Sequence, residues 1–333
     1  MSDQDRMGPV NGCGAGGGCG SGGCGADGSG AAGCSPQGDE LLDPSRRGFM
    51  RTAVVTAAAA SLSACGFDID EMLKTHFREL SKEDLDKRLS KLEKKHAAAA
   101  GKPVKMSATP AIPGVVFGYG LDLGRCVGCR RCAEACVEEN NTSRRNPQIQ
   151  WIKVLEMDKD RGVDLAHANA YYEAEQVPRT GHFYMPVQCH QCRNPPCVKT
   201  CPTGATWKEP DGIVVIDYDW CIGCRCCMAA CPYGARRFNW AEADIPAEQM
   251  NANMHYLGNR PRPKHVVEKC TFCIQRVREG RYPACVEVCP VGARKFGNLL
   301  DPESEIRQIM ERKRVFVFKE ELGTAPQFYY FYG

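Results

Sequence analysis

The fold of this chain is decided by residues 221–232, which read Cys221-Ile222-Gly223-Cys224-Arg225-Cys226-Cys227-Met228-Ala229-Ala230-Cys231-Pro232. Two residues separate Cys221 from Cys224 and Cys224 from Cys227, and three separate Cys227 from Cys231. A tight loop with this spacing can turn three consecutive thiolates toward one centre, while the fourth cysteine follows on the helix that leaves the loop. The stretch therefore predicts a loop that wraps thiolates around a metal cluster.

The same pattern occurs three more times in the chain, with only the gap before the third cysteine lengthened in two of the copies. The spacing of two, two and three residues is that of the bacterial ferredoxin run, which holds [4Fe–4S] clusters. In that run the fourth cysteine binds the other cluster of a pair. The sixteen candidate ligands form four quartets: Cys126, Cys129, Cys132 and Cys136; Cys189, Cys192, Cys197 and Cys201; Cys221, Cys224, Cys227 and Cys231; and Cys270, Cys273, Cys285 and Cys289.

The cysteine content allows three explanations, namely disulfides, zinc sites and iron–sulfur clusters, because 22 cysteines in 333 residues exceeds ordinary usage. Zinc sites usually combine two C-x2-C pairs that lie far apart, without three cysteines in one short loop. Adjacent C-x-x-C pairs in four similar blocks would make a poor disulfide framework. The sequence therefore predicts four [4Fe–4S] clusters.

The remaining composition excludes several functions. Charged residues make up 25% of the chain, the net charge is +3, and acids and bases are interspersed, so no nucleic-acid-binding surface is expected. We find neither a substrate-pocket motif nor an acid–base pair, and therefore expect an electron-transfer protein without catalysis of its own. Two alternatives remain: an iron–sulfur module with its own redox or sulfur chemistry, and a structural subunit held by metal or disulfides.

The first 65 residues are expected to address and anchor the protein. Residues 1–44 are rich in Gly and Cys, and we expect them to form a disordered leader. Residues 45–65 resemble a twin-arginine (Tat) export signal, with Arg46 and Arg47 before an apolar run that is too short to span a membrane. Leu62-Ser63-Ala64-Cys65 resembles a lipobox, which would make Cys65 the lipid anchor. Ordinary cleavage and a retained signal are the alternatives.

These signals predict that the protein lies at the periplasmic face of the bacterial cytoplasmic membrane, associated with it through lipid or a partner. Residues 66–113 are expected to be a helical tether and a linker. Apolar residues repeat at helical spacing over 68–96, and Ser81 with Asp84 suggests a capping box for a second helix. The narrow apolar face indicates that these helices lie on the body of this protein or on a partner, and residues 97–113 then form the linker.

From Val115 onward the chain resembles the iron–sulfur subunits of the complex iron–sulfur molybdoenzyme family, which includes polysulfide, tetrathionate and dimethyl sulfoxide reductases. The match is carried by Leu123-Gly124-Arg125-Cys126-Val127-Gly128-Cys129, by Cys197-Val198-Lys199-Thr200-Cys201-Pro202-Thr203-Gly204-Ala205, by Cys221-Ile222-Gly223-Cys224-Arg225, and by Lys269-Cys270-Thr271-Phe272-Cys273. The resemblance implies an electron relay between an integral membrane quinone-interacting subunit and a molybdopterin or multihaem cytochrome subunit.

The resemblance also implies how the quartets combine. One cluster would use Cys126, Cys129, Cys132 and Cys289; its neighbour would use Cys270, Cys273, Cys285 and Cys136. The inner clusters would use Cys189, Cys192, Cys197 and Cys231, and Cys221, Cys224, Cys227 and Cys201. Cys226 is the surplus thiol; it could replace Cys227, but the spacing favours Cys227 and makes Cys226 a buried neighbour.

The expected fold is α+β, a tandem ferredoxin-like (double dicluster) domain with short strands and helices around four cubane clusters. It would occupy residues 114–320, with insertions at 137–188 and 232–269, and residues 321–333 would form a C-terminal tail. Strands are predicted at 151–155 and 212–216. Six arginines lie near ligands in sequence and would either raise cluster potentials or serve only solubility: Arg125, Arg130, Arg131, Arg225, Arg236 and Arg237.

Overall fold

A computed structural model of the chain describes residues 76–333. These residues form an α+β fold of short elements, as the sequence predicts. The helices are α1 (Lys82–Ala100), α2 (Arg131–Glu139), α3 (Pro196–Lys199), α4 (Cys226–Ala229), α5 (Ile274–Val277), α6 (Ala284–Glu287) and α7 (Glu305–Arg312). Short 3₁₀ helices cover Phe77–Glu79, Ala174–Gln176, Ala247–Gln249 and Glu320–Leu322.

Twelve strands cover few residues each within the described part of the chain. They are β1 (Lys105–Ser107), β2 (Phe117–Asp122), β3 (Lys153–Asp158), β4 (His182–Val187), β5 (Thr206–Lys208), β6 (Val214–Ile216), β7 (Arg237–Phe238), β8 (Asn253–His255), β9 (Val267–Glu268), β10 (Arg294–Asn298), β11 (Val315–Phe316) and β12 (Phe328–Phe331). The strands predicted at 151–155 and 212–216 correspond to β3 and β6, with shifted ends.

The largest sheet has four strands in the order β10-β2-β12-β11. Strand β2 runs antiparallel to β10 and parallel to β12. All four residues of β12 are buried, so the end of the chain is a central strand of this sheet and not the tail that the sequence suggests. The aromatic run Phe328–Phe331 suits a strand that is buried on both faces.

The other sheets are two-stranded. Antiparallel pairing joins β3 to β4, β5 to β6 and β7 to β9, whereas β1 and β8 pair in parallel. The β5–β6 pair lies between the second and third quartets in sequence, and the β2–β10 pair brackets the first and fourth. Each pair of quartets therefore has its own pair of strands, which is the tandem arrangement expected of two ferredoxin-like halves.

The N-terminal helix α1 begins where the sequence predicts it. The Ser81 side chain accepts a hydrogen bond from the backbone N–H of Asp84 at 3.1 Å, and Gly101 in a left-handed conformation ends the helix. Leu89 and Leu92 pack against the hydrophobic core, so the narrow apolar face lies on this protein's own body. The preceding segment is a 3₁₀ helix at Phe77–Glu79, and residues 68–75 lie outside the described part.

The segment predicted to be a linker, residues 97–113, is partly structured. Helix α1 continues to Ala100, and β1 adds a strand whose Met106 is buried against Met250 and Met254. The Met106 backbone N–H also donates to the side chain of Glu93 at 2.8 Å. Three residues are too short for a periodicity signal, so only the tertiary partner reveals this strand. No helix among residues 76–333 is long and apolar enough to cross a membrane.

Candidate iron–sulfur centres

Four short helices carry the ends of the quartets. The third and fourth cysteines of the first quartet, Cys132 and Cys136, both lie on α2, and α3, α4 and α6 each hold the third cysteine of another quartet. The fourth cysteine follows just after each of these three helices. There a Pro and then a Gly with positive φ (Gly204, Gly234 and Gly292) turn the chain away.

These helices pack in two pairs. Helix α2 of the first quartet packs on α6 of the fourth, and α3 of the second quartet packs on α4 of the third. The outermost quartets therefore meet each other, and so do the innermost quartets. We call the cysteines of the first and fourth quartets the outer group, and those of the second and third the inner group.

In the outer group, Cys136 lies beside the cysteines of the fourth quartet. The side-chain amide of Asn140 donates hydrogen bonds to Cys136 Sγ at 3.6 Å and to Cys273 Sγ at 3.5 Å. Burial raises the pKa of the Cys136 thiol well above its ordinary value, and the neighbouring sulfurs of Cys270, Cys273 and Cys285 raise it further. Four thiols from two distant parts of the sequence thus share one buried site.

The other site of the outer group is a cavity lined by Cys126, Cys129, Cys132 and Cys289. Apolar side chains such as Leu121 and Val154 complete its wall. The pKa of Cys126 is raised to about 11, chiefly by burial, and the sulfurs of Cys132 and Cys289 contribute in the same direction. The fourth cysteine of the last quartet therefore joins the first three of the first quartet.

The inner group repeats this exchange. The pKa of Cys192 is raised to about 12 by burial, then by Cys189, Cys197 and Cys231. Burial likewise raises the pKa of Cys231, with further contributions from Cys189 and Cys197. The remaining thiols of this group are Cys221, Cys224, Cys227 and Cys201. Among them, Cys227 interacts with Cys221, and Cys201 interacts with Cys226, the neighbour of Cys227.

Polar contacts connect the outer group to the inner group. Burial raises the pKa of Cys270 to about 12, and among neighbouring thiols the largest contribution comes from Cys189 of the inner group. Gln188 Nε2 donates to Cys270 Sγ at 3.9 Å, and the buried Lys269 Nζ donates to the carbonyls of Cys270 and Val214. The two groups therefore meet where Cys189 and Cys270 approach each other.

Two buried arginines donate hydrogen bonds to cysteine sulfurs. Arg294 Nη2 lies 3.1 Å from Cys132 Sγ, and Arg236 Nη2 lies 3.0 Å from Cys197 Sγ. Burial alone would lower the pKa of both guanidinium groups, but the nearby cysteines reverse this effect and raise it. Such charge-assisted hydrogen bonds to thiolate stabilise negative charge on the sulfur.

Sequence proximity to a ligand did not predict these contacts well. Of the six arginines singled out from the sequence, Arg236 is the one that donates to a cysteine sulfur in the described structure. Arg130 donates to the Ala170 carbonyl, and Arg225 lies over the rings of Phe238 and Trp240. Arg294 was missed, although a repeat could have revealed it. Both Cys231 and Cys289 begin the pattern Cys-Pro-x-Gly-Ala-Arg.

The surplus thiol, Cys226, is exposed and not buried as expected from the sequence. It occupies the first position of α4, and its Sγ donates to the Cys224 carbonyl at 3.9 Å. The next residue, Cys227, is buried against Ile216, Tyr218 and Val266. Consecutive residues of a helix point about 100° apart, so only one of the two thiols can face the core.

The donor set suits iron–sulfur clusters. Crowded, buried thiols that raise each other's pKa are unfavourable as thiolates until positive charge lies between them, which an iron–sulfur core supplies. Two guanidinium nitrogens of the buried Arg236, Nε and Nη1, have no hydrogen-bond partner within the described protein. All cysteines of residues 76–333 are free thiols.

The same residues contain no group of three or more His, Cys, Asp or Glu side chains placed closely enough to hold a single metal ion. In a cubane each thiolate binds a different iron atom, so its ligand sulfurs lie further apart than those of a single-ion site. The distances between the cysteines of one site therefore need to match a four-iron core and not a single metal ion.

Comparison with known proteins agrees with this chemistry. Two family models match, both described as 4Fe-4S dicluster domains: one covers residues 125–205, and the other covers 180–264 and 256–299. Together they span the four quartets. The fold and its cysteine sites thus define a ferredoxin-type dicluster protein that binds [4Fe–4S] clusters.

Several curated relatives make the family more specific. One from Halobacterium salinarum, provisionally named as a dimethyl sulfoxide reductase iron–sulfur subunit, is 43% identical over 65% of this chain and 79% of its own. The Hdr-like menaquinol oxidoreductase iron–sulfur subunit 1 of Archaeoglobus fulgidus is 38% identical over 64% of this chain and 82% of its own. The arsenate respiratory reductase iron–sulfur subunit of Shewanella sp. is 36% identical over 64% and 95%. The chain belongs to the iron–sulfur subunits of the complex iron–sulfur molybdoenzyme family.

Subunits of this kind transfer electrons within oxidoreductase complexes. The chemistry that an iron–sulfur cluster supplies when bound is the uptake and release of single electrons. The chain's own residues hold the thiolates in place, exclude water from the buried cysteines and donate hydrogen bonds to sulfur.

Proposed function

We propose that this chain relays single electrons through four [4Fe–4S] clusters, without catalysis of its own, inside a respiratory complex. The sixteen cysteines would serve as ligands in the crossed pairing that the family resemblance implies. The observation that carries this proposal is the Asn140 amide, which donates to the sulfurs of both Cys136 and Cys273. A pairing within each quartet would separate these two cysteines into different clusters.

Electrostatic interactions between neighbouring sites support a linear order. Cys132 interacts with Cys285, Cys270 with Cys189, and Cys227 with Cys197. The sites would therefore follow one another from that of Cys126, through those of Cys270 and Cys189, to that of Cys221. Each step joins neighbours, so an electron never needs to bypass a site.

The ends of this line would contact partner subunits. At the Cys221 end, Cys224 is exposed, and the nearby Ile222 and Trp240 are large apolar side chains with 64% and 67% of their surface exposed. Exposed apolar side chains of this size beside a redox site suit a protein interface. We assign an integral membrane quinone-interacting subunit to one end and a molybdopterin or multihaem cytochrome subunit to the other. The menaquinol oxidoreductase named among the relatives supports a quinone-linked complex.

Iron and acid-labile sulfide analysis of anaerobically purified protein tests the cluster count. We expect about sixteen of each per chain, with a broad brown absorption that bleaches on reduction. About eight of each would limit the protein to two clusters and contradict the proposed relay. Zinc in place of iron would favour a structural subunit.

We further propose export by the Tat pathway to the periplasmic face of the cytoplasmic membrane, with Cys65 as the lipid anchor. Arg46, Arg47 and Cys65 lie outside the described residues, so this proposal rests on the sequence pattern alone. Export of folded protein would suit clusters that are inserted in the cytoplasm. Three acyl groups would hold the chain firmly at the membrane, whereas a single chain binds only marginally.

Replacing Arg46 and Arg47 with Lys should leave folded precursor in the cytoplasm, because the export signal depends on the arginine pair. Arg51→Lys, a matched change just outside the pair, should leave export unchanged. Cell fractionation measures both variants, and normal export of the double variant would contradict the Tat assignment.

Mass spectrometry of the mature N-terminus should show lipidated Cys65; an unmodified terminus elsewhere would contradict the anchor.

A further inference from the structure

The two buried arginines occupy equivalent positions in the sequence. Arg236 follows the fourth cysteine of its quartet by five residues, and Arg294 follows Cys289 by five, each within the pattern Cys-Pro-x-Gly-Ala-Arg. The turn made by Pro and by Gly with positive φ brings this fifth residue back toward the cluster loops. The equivalent position after Cys201 is Thr206, whose hydroxyl accepts a hydrogen bond from Arg236 Nη2 at 3.1 Å.

Arg294 lies between the two sites of the outer group. Its Nη2 donates to Cys132 Sγ, and its Nη1 donates to the hydroxyl of Tyr119 at 2.8 Å. That hydroxyl lies 3.3 Å from Cys285 Sγ. One guanidinium therefore contacts the third cysteine of the first quartet directly and the third cysteine of the fourth quartet through Tyr119.

Arg236 lies between the two sites of the inner group in the same way. It donates to Cys197 Sγ, and Cys197 packs against the small hydrophobic cluster that contains Cys227. These are again the third cysteines of two quartets that belong to different sites. The guanidinium is buried, and its two unpartnered nitrogens remain available to a bound group.

We propose that Arg294 and Arg236 are positioning residues for electron transfer, each shared by the two clusters of one group and raising both of their reduction potentials. Arginine stays protonated under all ordinary conditions, so each group contains a permanent positive charge between its clusters. Reduction adds negative charge to a cluster, and a buried cation stabilises that reduced state. The inference rests on the proposed function, because it assumes clusters at all four sites.

The proposal predicts a paired pattern of shifts in an EPR-monitored redox titration of the holoprotein. Arg294→Gln should lower the midpoint potentials of two cluster signals, those of the outer group, and leave the other two unchanged. Arg236→Gln should lower the remaining two. The larger shift in each pair is expected at the cluster whose cysteine accepts the direct hydrogen bond, Cys132 or Cys197.

Two further sets of variants separate charge from structure. Arg294→Lys and Arg236→Lys keep the positive charge and should recover part of each shift. Arg131→Gln removes an equal charge beside Cys132 in sequence, but the Arg131 side chain is exposed, so solvent screens it and no signal should move. Thr206→Val removes a partner of Arg236 without changing charge and should lower the inner potentials less than Arg236→Gln does.

Iron analysis of each variant distinguishes the possible failures. Fewer than about sixteen irons in the wild-type protein would contradict the proposed function itself. If that content is present, unchanged potentials in both Gln variants would overturn the present inference alone. A change in the midpoint potential of only one cluster signal, or an equal change in all four, would also contradict the proposal that each arginine is shared by two clusters. If a Gln variant assembles incompletely, the Lys variant at the same position decides the result: we expect it to lower the potentials of the same two signals by a smaller amount, and no shift, a shift of one signal or an equal shift of all four would overturn the sharing.

Discussion

Replacing Cys136 with alanine should abolish one cluster, and that cluster should be the one that Cys270, Cys273 and Cys285 also hold. About four of the sixteen expected irons should be lost, because under the proposed pairing Cys136 is the fourth ligand of that cluster and alanine supplies no sulfur in its place. Although Cys136 belongs to the first quartet in sequence, the cluster bound by Cys126, Cys129 and Cys132 should remain.

Double variants test which cysteines bind the same cluster. Cys136→Ala with Cys270→Ala should lose no more iron than either single variant, since both residues serve one cluster. Cys136→Ala with Cys126→Ala should lose two clusters. A pairing within each quartet predicts the reverse, with one cluster lost in the second double variant and two in the first. Iron analysis and EPR of the reduced proteins measure both cases.

Cys226→Ala is the matched control for this series. Cys226 is also a thiol beside a candidate ligand, but it is exposed, whereas Cys227 is buried. We therefore expect full iron content and an unchanged spectrum. Loss of a cluster in this variant would instead make Cys226 a ligand of the third quartet, which the sequence spacing alone permits.

The second large effect is expected on stability. Arg262 and Glu268 form a fully buried ion pair, with Nε 2.7 Å from Oε2, and the arginine lies 4.6 Å from the centroid of the Trp151 ring. The Nε–H does not point along a hydrogen bond to that oxygen, so the contact is chiefly ionic. Arg262 Nη1 also donates to the carbonyls of Asn140 and Asn141, which follow α2.

Arg262→Met should lower the free energy of unfolding by about 3–5 kcal/mol, because it leaves the Glu268 carboxylate buried without its cation. The apparent Tm should fall by roughly 10 °C, as ~1 kcal/mol corresponds to ~2–4 °C in a domain of this size. Circular dichroism during anaerobic heating measures the change. The clusters of this variant should also bleach at a lower temperature than those of the wild-type protein. The reason is that Asn140, whose carbonyl accepts from Arg262, also donates to the sulfurs of Cys136 and Cys273.

A double variant and a surface pair test the cause. Arg262→Met with Glu268→Leu removes both charges of the pair and should be less destabilised than the sum of its single changes. Arg307→Met breaks an exposed pair with Glu311, whose atoms lie 3.3 Å apart, and should change stability by no more than about 0.5 kcal/mol. Equal effects at Arg262 and Arg307 would contradict the role of burial.

Local features of this protein were predictable from the sequence because each depends on a few consecutive residues. The quartets are such a feature, since cysteine spacing limits which thiolates one loop can turn toward a cluster. The Ser81 cap of α1 and strands β3 and β6 are others, and the family assignment followed from the motifs around the cysteines. The crossed pairing came from the resemblance, because spacing alone leaves the partner of each fourth cysteine open.

Features that depend on distant parts of the chain were missed. The sequence of β12 suggests a tail, and only its pairing with β2 identifies it as a strand. The sequence of β1 likewise suggests a linker, and only its pairing with β8 identifies it as a strand. Arg294 lies 162 residues from Cys132, so no local window connects them. The exposure of Cys226 depends on which face of α4 meets the core.

The sequence by itself thus determined that this protein binds [4Fe–4S] clusters, because ligand spacing is a property of the covalent chain. The tertiary structure decided which distant sulfurs become neighbours, which arginines reach them and which thiol remains in solvent. The physical reason is that hydrogen bonds, burial and charge act over a few ångströms in space, and only folding sets those distances for residues far apart in sequence.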